Sequence, residues 1–349
     1  MIDPDGNNAR RLTDNHAADA FATLSADGKT IVFDSNRLRD EDEPLNTSDL
    51  FVMNTDGTEQ QHLTRGGSPT WSPDSKRIAF HASSSGTALP IQNTPGAATA
   101  DSDIFVANVD DLLDGSEAPR NVTNNPDFVD DDPDWSPDGH TVVLTRHDAF
   151  ELDHNSPLTV EIYRLDVDVT SAPQRLTFNN YEERAADVSP DGTRIVFMCR
   201  LPDTDFELCV MNADGAGLTA LTNNTVGDLG FHWSTDGKQI VFQRPVGGGR
   251  NQLFVINARW QRHDPDHRAA KRRTAGMERV RILGPAEGQS RQVAAVVKRL
   301  IALAGVALTF ACSSVDGVED DDLSPVCQPP HGETGHDHRE HVAGLPTCP

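Results

Sequence analysis

The chain has 349 residues, which is enough for one large domain or two ordinary ones. It carries 30 Lys and Arg residues against 54 Asp and Glu residues, a formal net charge of −24. Such a charge repels nucleic acid and acidic membrane surfaces and attracts cations or basic partners. We therefore exclude a nucleic-acid-binding role. The same charge also keeps a β-rich protein soluble, so it names no partner by itself.

One four-residue phrase recurs five times along the chain. Its copies are Ser25-Ala26-Asp27-Gly28, Ser72-Pro73-Asp74-Ser75, Ser136-Pro137-Asp138-Gly139, Ser189-Pro190-Asp191-Gly192 and Ser234-Thr235-Asp236-Gly237. Proline presets φ at the second position of such a turn, aspartate or serine bonds to the nearby backbone, and glycine is favoured at the fourth position. Each copy therefore predicts a tight turn between two strands. The structural aspartates of these turns are Asp27, Asp74, Asp138, Asp191 and Asp236.

Short runs of β-branched and aromatic residues surround every turn, as in strands. The first run after each turn covers residues 30–33, 77–80, 141–144, 194–197 and 239–242. The second covers residues 49–54, 103–108, 161–166, 207–212 and 252–257. A third motif ends at Leu63-Thr64, Val122-Thr123, Leu176-Thr177 and Leu221-Thr222. A fourth, inner strand is marked before each turn by Leu24, Trp71, Trp135, Val188 or Trp233.

Four short strands in each unit, repeating about every 40–50 residues, are typical of propeller blades. A β-sandwich also has short strands, but it would not repeat one turn phrase at this spacing. We therefore predict an all-β protein over residues 1–257. Its fold is a β-propeller of four-stranded blades, with five blades' worth of repeats, in which Trp71, Trp135 and Trp233 are structural.

The linked phrases resemble the repeats of TolB-like β-propellers, which are similar to WD-repeat propellers. The resemblance covers residues 2–257 and rests on Trp-Ser-Pro-Asp-Gly, then Ile-x-Phe, then Leu-Phe-Val-Met-Asn-x-Asp-Gly, then Leu-Thr, recurring in one order. It implies six blades, whereas the chain carries five copies of each strand. It also implies a periplasmic or extracellular protein of the bacterial cell envelope. The separate N-terminal domain that such proteins use for partner binding has no counterpart here.

The last unit lacks its third motif after Asn257, and matching pieces stand at the N-terminus. Residues 2–6 resemble residues 53–57, and Leu12-Thr13 resembles the missing motif. We therefore expect the N-terminal segment to complete the last blade and to close the ring by strand exchange, which removes exposed edges. An array cut out of a longer propeller would show the same two ends, so both interpretations stay open. Residues 1–6 are polar and carry no secretory signal.

Acidic residues concentrate in the loops that follow the first and third strand motifs. In a propeller these loops lie on the same face as the connections between blades, which makes that face the binding candidate. The candidate residues are Asp40, Asp42, Asp101, Asp103, Asp130, Asp131, Asp132 and Asp153. They predict a face for a protein or peptide ligand, including a basic one, or for a glycan. Converging carboxylates also suit a calcium ion, which takes six to eight oxygen ligands, but EF-hand spacing is absent and a solvated acidic rim is the alternative. No other cofactor is expected.

Nothing in the sequence predicts catalysis. A serine hydrolase needs a Gly-x-Ser-x-Gly elbow, and Gly288-Gln289-Ser290-Arg291-Gln292 lacks the final glycine. The histidines His81, His147 and His232 are isolated and are interpreted as structural. We predict a non-catalytic binding or scaffold protein. The alternatives are a detached propeller domain of a prolyl-oligopeptidase-like serine peptidase and an incomplete fragment without function.

The five cysteines form no paired metal-binding motif. Cys199 and Cys209 lie near opposite positions of consecutive predicted strands, so they form a disulfide if their Cα atoms approach within about 7 Å. Two half-buried free thiols are the alternative. A bonded pair would indicate an oxidising compartment.

Residues 258–349 have no strand pattern and predict an irregular or helical tail of low order. A basic stretch comes first, then an apolar segment at 293–311, then an end that contains Cys327, Cys348 and several histidines. The apolar segment resembles a lipoprotein signal ending at Cys312, but it stands far from the N-terminus. It is too short for a transmembrane span, which takes about 20 apolar residues. A neighbouring coding region read in frame is one hypothesis for it, and an apolar tail helix is the other.

Overall fold

The computed structural model describes residues 1, 8–40, 48–83, 102–148, 160–202, 204–246 and 251–258. Within these ranges lie five antiparallel sheets and one short helix, which confirms the predicted all-β propeller of five blades. Four of the sheets have four strands and the fifth has three. The predicted tail lies outside the described residues, apart from Ala258.

The strands of each blade follow one another in the chain, and each pairs with its neighbour. Blade 1 contains β1 (Asp19–Leu24), β2 (Thr30–Ser35), β3 (Asp49–Asn54) and β4 (Gln61–Arg65). Blade 2 contains β5 (Gly67–Trp71), β6 (Arg77–Ala82), β7 (Asp103–Asn108), the helix α1 (Val109–Asp114) and β8 (Arg120–Asn121).

Blades 3 to 5 repeat this order without a helix. Blade 3 contains β9 (Phe128–Trp135), β10 (Thr141–Asp148), β11 (Glu161–Asp166) and β12 (Gln174–Arg175). Blade 4 contains β13 (Glu182–Val188), β14 (Arg194–Arg200), β15 (Phe206–Asn212) and β16 (Thr219–Ala220). Blade 5 contains β17 (Leu229–Trp233), β18 (Gln239–Pro245) and β19 (Asn251–Asn257).

The helix α1 was not predicted from the repeat pattern. Asn108, the last residue of β7, caps it by accepting a hydrogen bond from the Asp110 backbone N–H at 3.0 Å. Gly115 ends it with a left-handed φ of 72°. Capping at both ends makes a six-residue helix compatible with a position where the other blades have a turn.

The second strand of each blade is buried on both sides. Phe33, Phe80, Phe197 and Phe242 each expose at most 1% of their surface, and Val32 beside Phe33 is fully buried. Successive side chains of a strand point to opposite faces of the sheet. Both faces of the blade must therefore be covered, and neighbouring blades provide that cover.

The blades pack in chain order through their inner strands. The strand β5 packs against β1 and β2, β9 against β5 and β6, β13 against β9 and β10, and β17 against β13 and β15. A core between blades 1 and 2, for example, joins Val32 and Leu50 to Trp71, Ile78 and Phe80. The described strands show no comparable packing between blade 5 and blade 1.

The N-terminal segment lies against blade 1. Leu12 joins the cluster around Phe33, and a Cβ added to Gly57 would lie 2.7 Å from the Leu12 carbonyl oxygen. In blade 4, Gly215 meets the carbonyl oxygen of Leu176 in the same way. Leu12 therefore has the same position relative to blade 1 that Leu176 of blade 3 has relative to blade 4. This is the position expected for the last residues of a preceding blade. Among the described strands β19 pairs with β18 alone, and residues 2–6 lie outside the description, so ring closure stays a prediction.

The repeated turns lie together at one end of the blades, here called the turn face; the opposite end, with the loops after the second strands and the connections between blades, is the loop face. In four turns the aspartate accepts a hydrogen bond from the serine hydroxyl. These pairs are Ser25–Asp27 at 2.7 Å, Ser72–Asp74 at 2.5 Å, Ser189–Asp191 at 2.6 Å and Ser234–Asp236 at 2.7 Å. The serine hydroxyl bonds lower the pKa of Asp27 and of Asp191 to about 2. In the remaining turn, Asp138 accepts the His140 backbone N–H at 2.9 Å.

Arginines join the turns of neighbouring blades. Arg194 of blade 4 stacks 4.6 Å from the ring centroid of Trp233 in blade 5, and donates to the carbonyl oxygens of Gly237 at 2.9 Å and Ala258 at 2.7 Å. Arg77 repeats this arrangement over Trp135 at 4.8 Å. These contacts give Trp135 and Trp233 their role before the turn. Trp71 has no such arginine because blade 1 carries Thr30 at the equivalent position; it is buried in the core between blades 1 and 2.

We expect Arg194→Lys to lower the free energy of unfolding by about 1–2 kcal/mol, because lysine keeps the charge but loses the planar contacts with Trp233 and two carbonyl groups. Urea unfolding followed by circular dichroism measures the change. Arg164→Lys, an exposed arginine on β11, is the matched control and should leave the midpoint unchanged. Equal midpoints for the two variants would contradict the role assigned to Arg194.

Candidate functional site

The loop face holds the acidic candidate residues that the structure describes. Asp40 is exposed and Asp132 is half-buried, whereas Asp103, Asp130 and Asp131 each expose at most 2% of their surface. The candidates outside the described residues are Asp42, Asp101 and Asp153. The buried members of the set have partners within the fold, and these partners decide which carboxylates remain for a ligand.

Asp103 occupies a repeated position at the start of the third strand. It accepts hydrogen bonds from Asn121 Nδ2 at 2.8 Å, Thr123 Oγ1 at 2.9 Å and the Asn125 backbone N–H at 3.2 Å. In blade 3 the equivalent Glu161 pairs with Arg175. These acids fasten the outer strand to the blade, so their carboxylates are structural.

A second repeated acid lies at the start of the inner strand, opposite or close to an arginine. The pairs are Asp19 with Arg37, Asp130 with Arg146 and Asp228 with Arg244. Arg146 donates to both oxygens of Asp130, at 2.5 and 2.7 Å, in a fully buried bidentate pair. A buried carboxylate needs such a partner, because removing it from water without compensation costs several kcal/mol.

An asparagine supports these inner-strand acids. It lies two residues after the Leu-Thr or Val-Thr motif, at Asn15, Asn125, Asn179 and Asn224. Its side-chain oxygen accepts the backbone N–H two residues further on, in each case within 3.0 Å. In blades 1, 4 and 5 its amide also donates to the acid, for example from Asn179 to Glu183 at 2.7 Å. The asparagine is visible in the aligned repeats, but our sequence reasoning missed it.

Glu183 is the inner-strand acid of blade 4, and it has no arginine opposite. Its partner across the strand pair is Cys199. Burial raises the pKa of Glu183 to about 7, and the nearby charge of Glu161 adds to this shift. Glu183 Oε2 and Glu161 Oε2 have no hydrogen-bond partner in the described structure. Glu183 therefore keeps its proton up to about pH 7.

Cys199 and Cys209 form a disulfide between β14 and β15. Their Cα atoms are 5.9 Å apart, and both residues are buried in a core with Val143, Ile162 and Phe197. The bond closes a short loop between adjacent strands. It lies inside blade 4, away from solvent.

Blade 2 departs from the pattern on the loop face. Its connection to blade 1 reads Leu63-Thr64-Arg65-Gly66, so the asparagine is missing and glycine replaces the inner-strand acid. A Cβ on Gly66 would lie 2.7 Å from the Phe80 side chain, and one on Gly67 would lie 2.7 Å from His81 Nε2. Gly66 also has a φ of 151° and its added Cβ would lie 2.8 Å from the His81 carbonyl oxygen, so only glycine fits there. His81 thus lies directly beside the backbone of the inner strand.

Every inner strand has a bulge at the same place, where the pairing with the second strand shifts. The bulged residues have left-handed φ values: Phe21 46°, Ser68 47°, Asp132 49°, Ala185 54° and Gly230 51°. Four of the five are not glycine, so the fold maintains a conformation that costs about 1–3 kcal/mol at each. Inner strands surround the central channel of a propeller, which places these residues beside it.

Polar contacts below the bulges connect neighbouring inner strands. Thr70 donates to Asp134 at 3.1 Å, and Asp134 accepts the Val188 backbone N–H at 3.0 Å. Asp187 accepts the backbone N–H of Trp233 and contacts His232, both at 3.1 Å. These contacts explain His232 as a structural residue of the blade 4 to blade 5 interface.

No group of three or more acidic, histidine or cysteine residues within the described ranges converges to hold a metal ion. The calcium site considered from the sequence stays an expectation, since three of its candidate aspartates are outside those ranges. Likewise, no described helix has the length and hydrophobicity needed to cross a bilayer.

Comparison with known proteins identifies the fold class. No family model and no curated protein matches the sequence. Solved β-propellers do match. TolB from Acinetobacter baumannii is 17% identical over 73% of this chain, with a TM-score of 0.52. A putative TolB from Agrobacterium tumefaciens is 17% identical over 74% of the chain, with a TM-score of 0.54. The fold is therefore that of a TolB-like β-propeller.

The chain spans 56% of the Acinetobacter protein and 83% of the Agrobacterium protein. A puromycin-hydrolyzing peptidase from Mycobacterium tuberculosis is also similar, at 18% identity over 80% of this chain and 39% of its own, with a TM-score of 0.47. One fold can host unrelated functions, so a role has to be argued from the site.

We expect Glu183→Gln to weaken the pH dependence of stability. The folded protein holds the Glu183 proton to about pH 7, whereas an ordinary glutamate releases it near 4.5, so stability falls as the pH rises through this window. The variant should lose up to about 3 kcal/mol less than the wild type between pH 4.5 and 8. Urea unfolding across this range measures it. The control is Glu117→Gln, an exposed carboxyl, and a slope unchanged in Glu183→Gln would refute the assignment.

Proposed function

We propose that this chain is a non-catalytic binding or scaffold propeller that holds a protein or peptide ligand on its loop face. The observation that carries the proposal is the distribution of exposed apolar side chains. Eight large hydrophobic residues are exposed in the described structure, and five of them lie on the loop face: Leu38, Phe178, Val226, Leu229 and Val246. Phe178 exposes 77% of its surface. Exposed apolar groups among polar ones are typical of interaction sites.

The charge of the chain favours a basic ligand. A net charge of −24 attracts cationic partners over a distance of about one Debye length, near 8 Å at physiological salt. The apolar side chains lie mainly on blades 3 to 5, whereas Asp40 and Asp132 lie on blades 1 and 3. The ligand that fits best combines basic and apolar residues.

A location in the cell envelope or outside the cell is supported by the disulfide between Cys199 and Cys209. Disulfides persist in oxidising compartments and are rare in the cytosol. The likeness to TolB agrees with this location. The alternative role, a substrate-gating propeller of a serine peptidase, requires a hydrolase partner and makes a different prediction about what the loop face contacts.

We expect a photo-crosslinking residue at Phe178 to capture a ligand protein from a cell-envelope extract, while one at Val169 captures none. Both positions are exposed apolar side chains, but Val169 lies on the turn face. Mass spectrometry identifies the captured protein. Equal capture from both faces would contradict the proposal. Capture of a hydrolase that reacts with a fluorophosphonate probe would favour the peptidase alternative instead.

Protein isolated from the envelope without reductant should yield a tryptic species in which residues 195–200 and 201–238 are linked through Cys199 and Cys209. Reduction should lower the stability of the wild type by about 2–3 kcal/mol, because the cross-link restricts the unfolded chain. A Cys199→Ser/Cys209→Ser variant should not respond to reductant. Free thiols at both positions in freshly isolated protein would contradict the proposed compartment.

A further inference from the structure

Three carboxylates near the bulges of blades 2 and 3 have no arginine or lysine partner among the described ion pairs: Asp34, Asp131 and Asp132. Asp34 is 2% exposed and its Oδ1 has no hydrogen-bond partner. Its carboxylate accepts the backbone N–H of Ser68. The Ser68 hydroxyl in turn lies 3.4 Å from Asp132 Oδ1, across the interface between blades 2 and 3. Asp34 and Asp132 are therefore connected through Ser68, and Asp131 is the residue before Asp132 in β9.

His81 adds an unsatisfied nitrogen to this cluster. Its Nδ1 has no hydrogen-bond partner, the residue is 7% exposed, and Nδ1 lies 3.7 Å from Asp131 Oδ1. Burial lowers the pKa of His81, so its ring is neutral and supplies no compensating charge at neutral pH. Asp131 Oδ1 accepts the Ser102 hydroxyl at 2.9 Å. With the proton on Nε2, the His81 Nδ1 lone pair beside it has no donor and can accept one from a ligand.

The cluster contrasts with the other acids of the loop face. Asp19, Asp130 and Asp228 each pair with an arginine from their own blade. Burial raises the pKa of Asp34 to about 7 and, together with the charge of Asp132, raises that of Asp131. In both residues burial, without an arginine or lysine to offset it, is the main cause of the raised pKa. Asp132 is half-buried and lies beside the channel, so a ligand can reach it.

We propose that Asp132, supported by Asp131, Ser68 and His81, binds a cationic side chain of a protein or peptide ligand at the boundary between blades 2 and 3. A guanidinium or ammonium group brings the positive charge and several N–H donors that this cluster lacks. A metal ion fits less well, because the described residues do not provide three converging ligands. The inference rests on the proposed binding function of the loop face and names the chemistry of its ligand.

The test is binding of a fluorescein-labelled tetra-arginine peptide to the full chain at 150 mM salt, followed by fluorescence anisotropy. Asp132→Asn removes one charge and keeps a residue that tolerates left-handed φ, so the fold should be preserved. Asp127→Asn removes one charge from an exposed position on the same face of the same blade. We expect the first variant to weaken binding tenfold or more and the second less than twofold.

Equal losses in the two variants would overturn the inference, since they indicate attraction to the acidic surface as a whole. Absence of binding to the wild type, or its displacement by 1 mM calcium chloride, would overturn it as well. Photo-crosslinking from Phe178 serves as the separate check on the loop face. If Phe178 still captures a ligand protein while both aspartate variants bind tetra-arginine alike, the binding function stands and the proposed cation site falls.

Discussion

The acid at the start of each inner strand is the constraint on which the loop face depends. Asp130, fully buried, is stabilised by Arg146, which donates to both of its oxygens, and Asp19 and Asp228 also pair with an arginine. In blades 1, 4 and 5 the asparagine of the preceding connection also donates to the acid. These hydrogen bonds fix the conformation of the connection between blades. They also fix where the inner strand begins.

Two blades break this rule, with different consequences. In blade 4, Cys199 stands opposite the acid, and Glu183 keeps its proton instead of gaining an arginine. In blade 2, Gly66 replaces the acid and the connection shortens, which brings His81 against the inner strand and next to Asp131. Because the pKa of Glu183 is raised in the folded protein, the first departure makes the stability of the fold depend on pH. The second leaves His81 Nδ1 without a hydrogen-bond partner, and Asp131 beside it has no arginine among the described ion pairs.

Only some of the carboxylates of this acidic chain are therefore available to bind a ligand. Carboxylates such as Asp103 and Asp27 serve strands and turns, and their hydrogen bonds make them poor ligands for anything else. The loop face combines a few uncompensated acids with exposed apolar side chains, among which Phe178 is the largest. A propeller scaffold carries many functions, so this combination, and not the fold, supports a binding role.

Local sequence preferences were enough to predict the class of fold and the number of blades, because each turn phrase and each strand motif reports a local preference that repeats. They also located the strands closely: the second runs at 49–54, 103–108 and 161–166 coincide with β3, β7 and β11. Packing was needed to show which aspartates are buried. Asp130 and Asp132 are two positions apart, but Asp130 faces Arg146 across the strand pair, whereas Asp132 lies in the bulge with a left-handed φ. Tertiary structure also decided the bulges and the cluster around His81, because these depend on how neighbouring strands and blades pack. The sequence placed Cys199 and Cys209 on adjacent strands, and the packed blade decided that they form a disulfide rather than two free thiols.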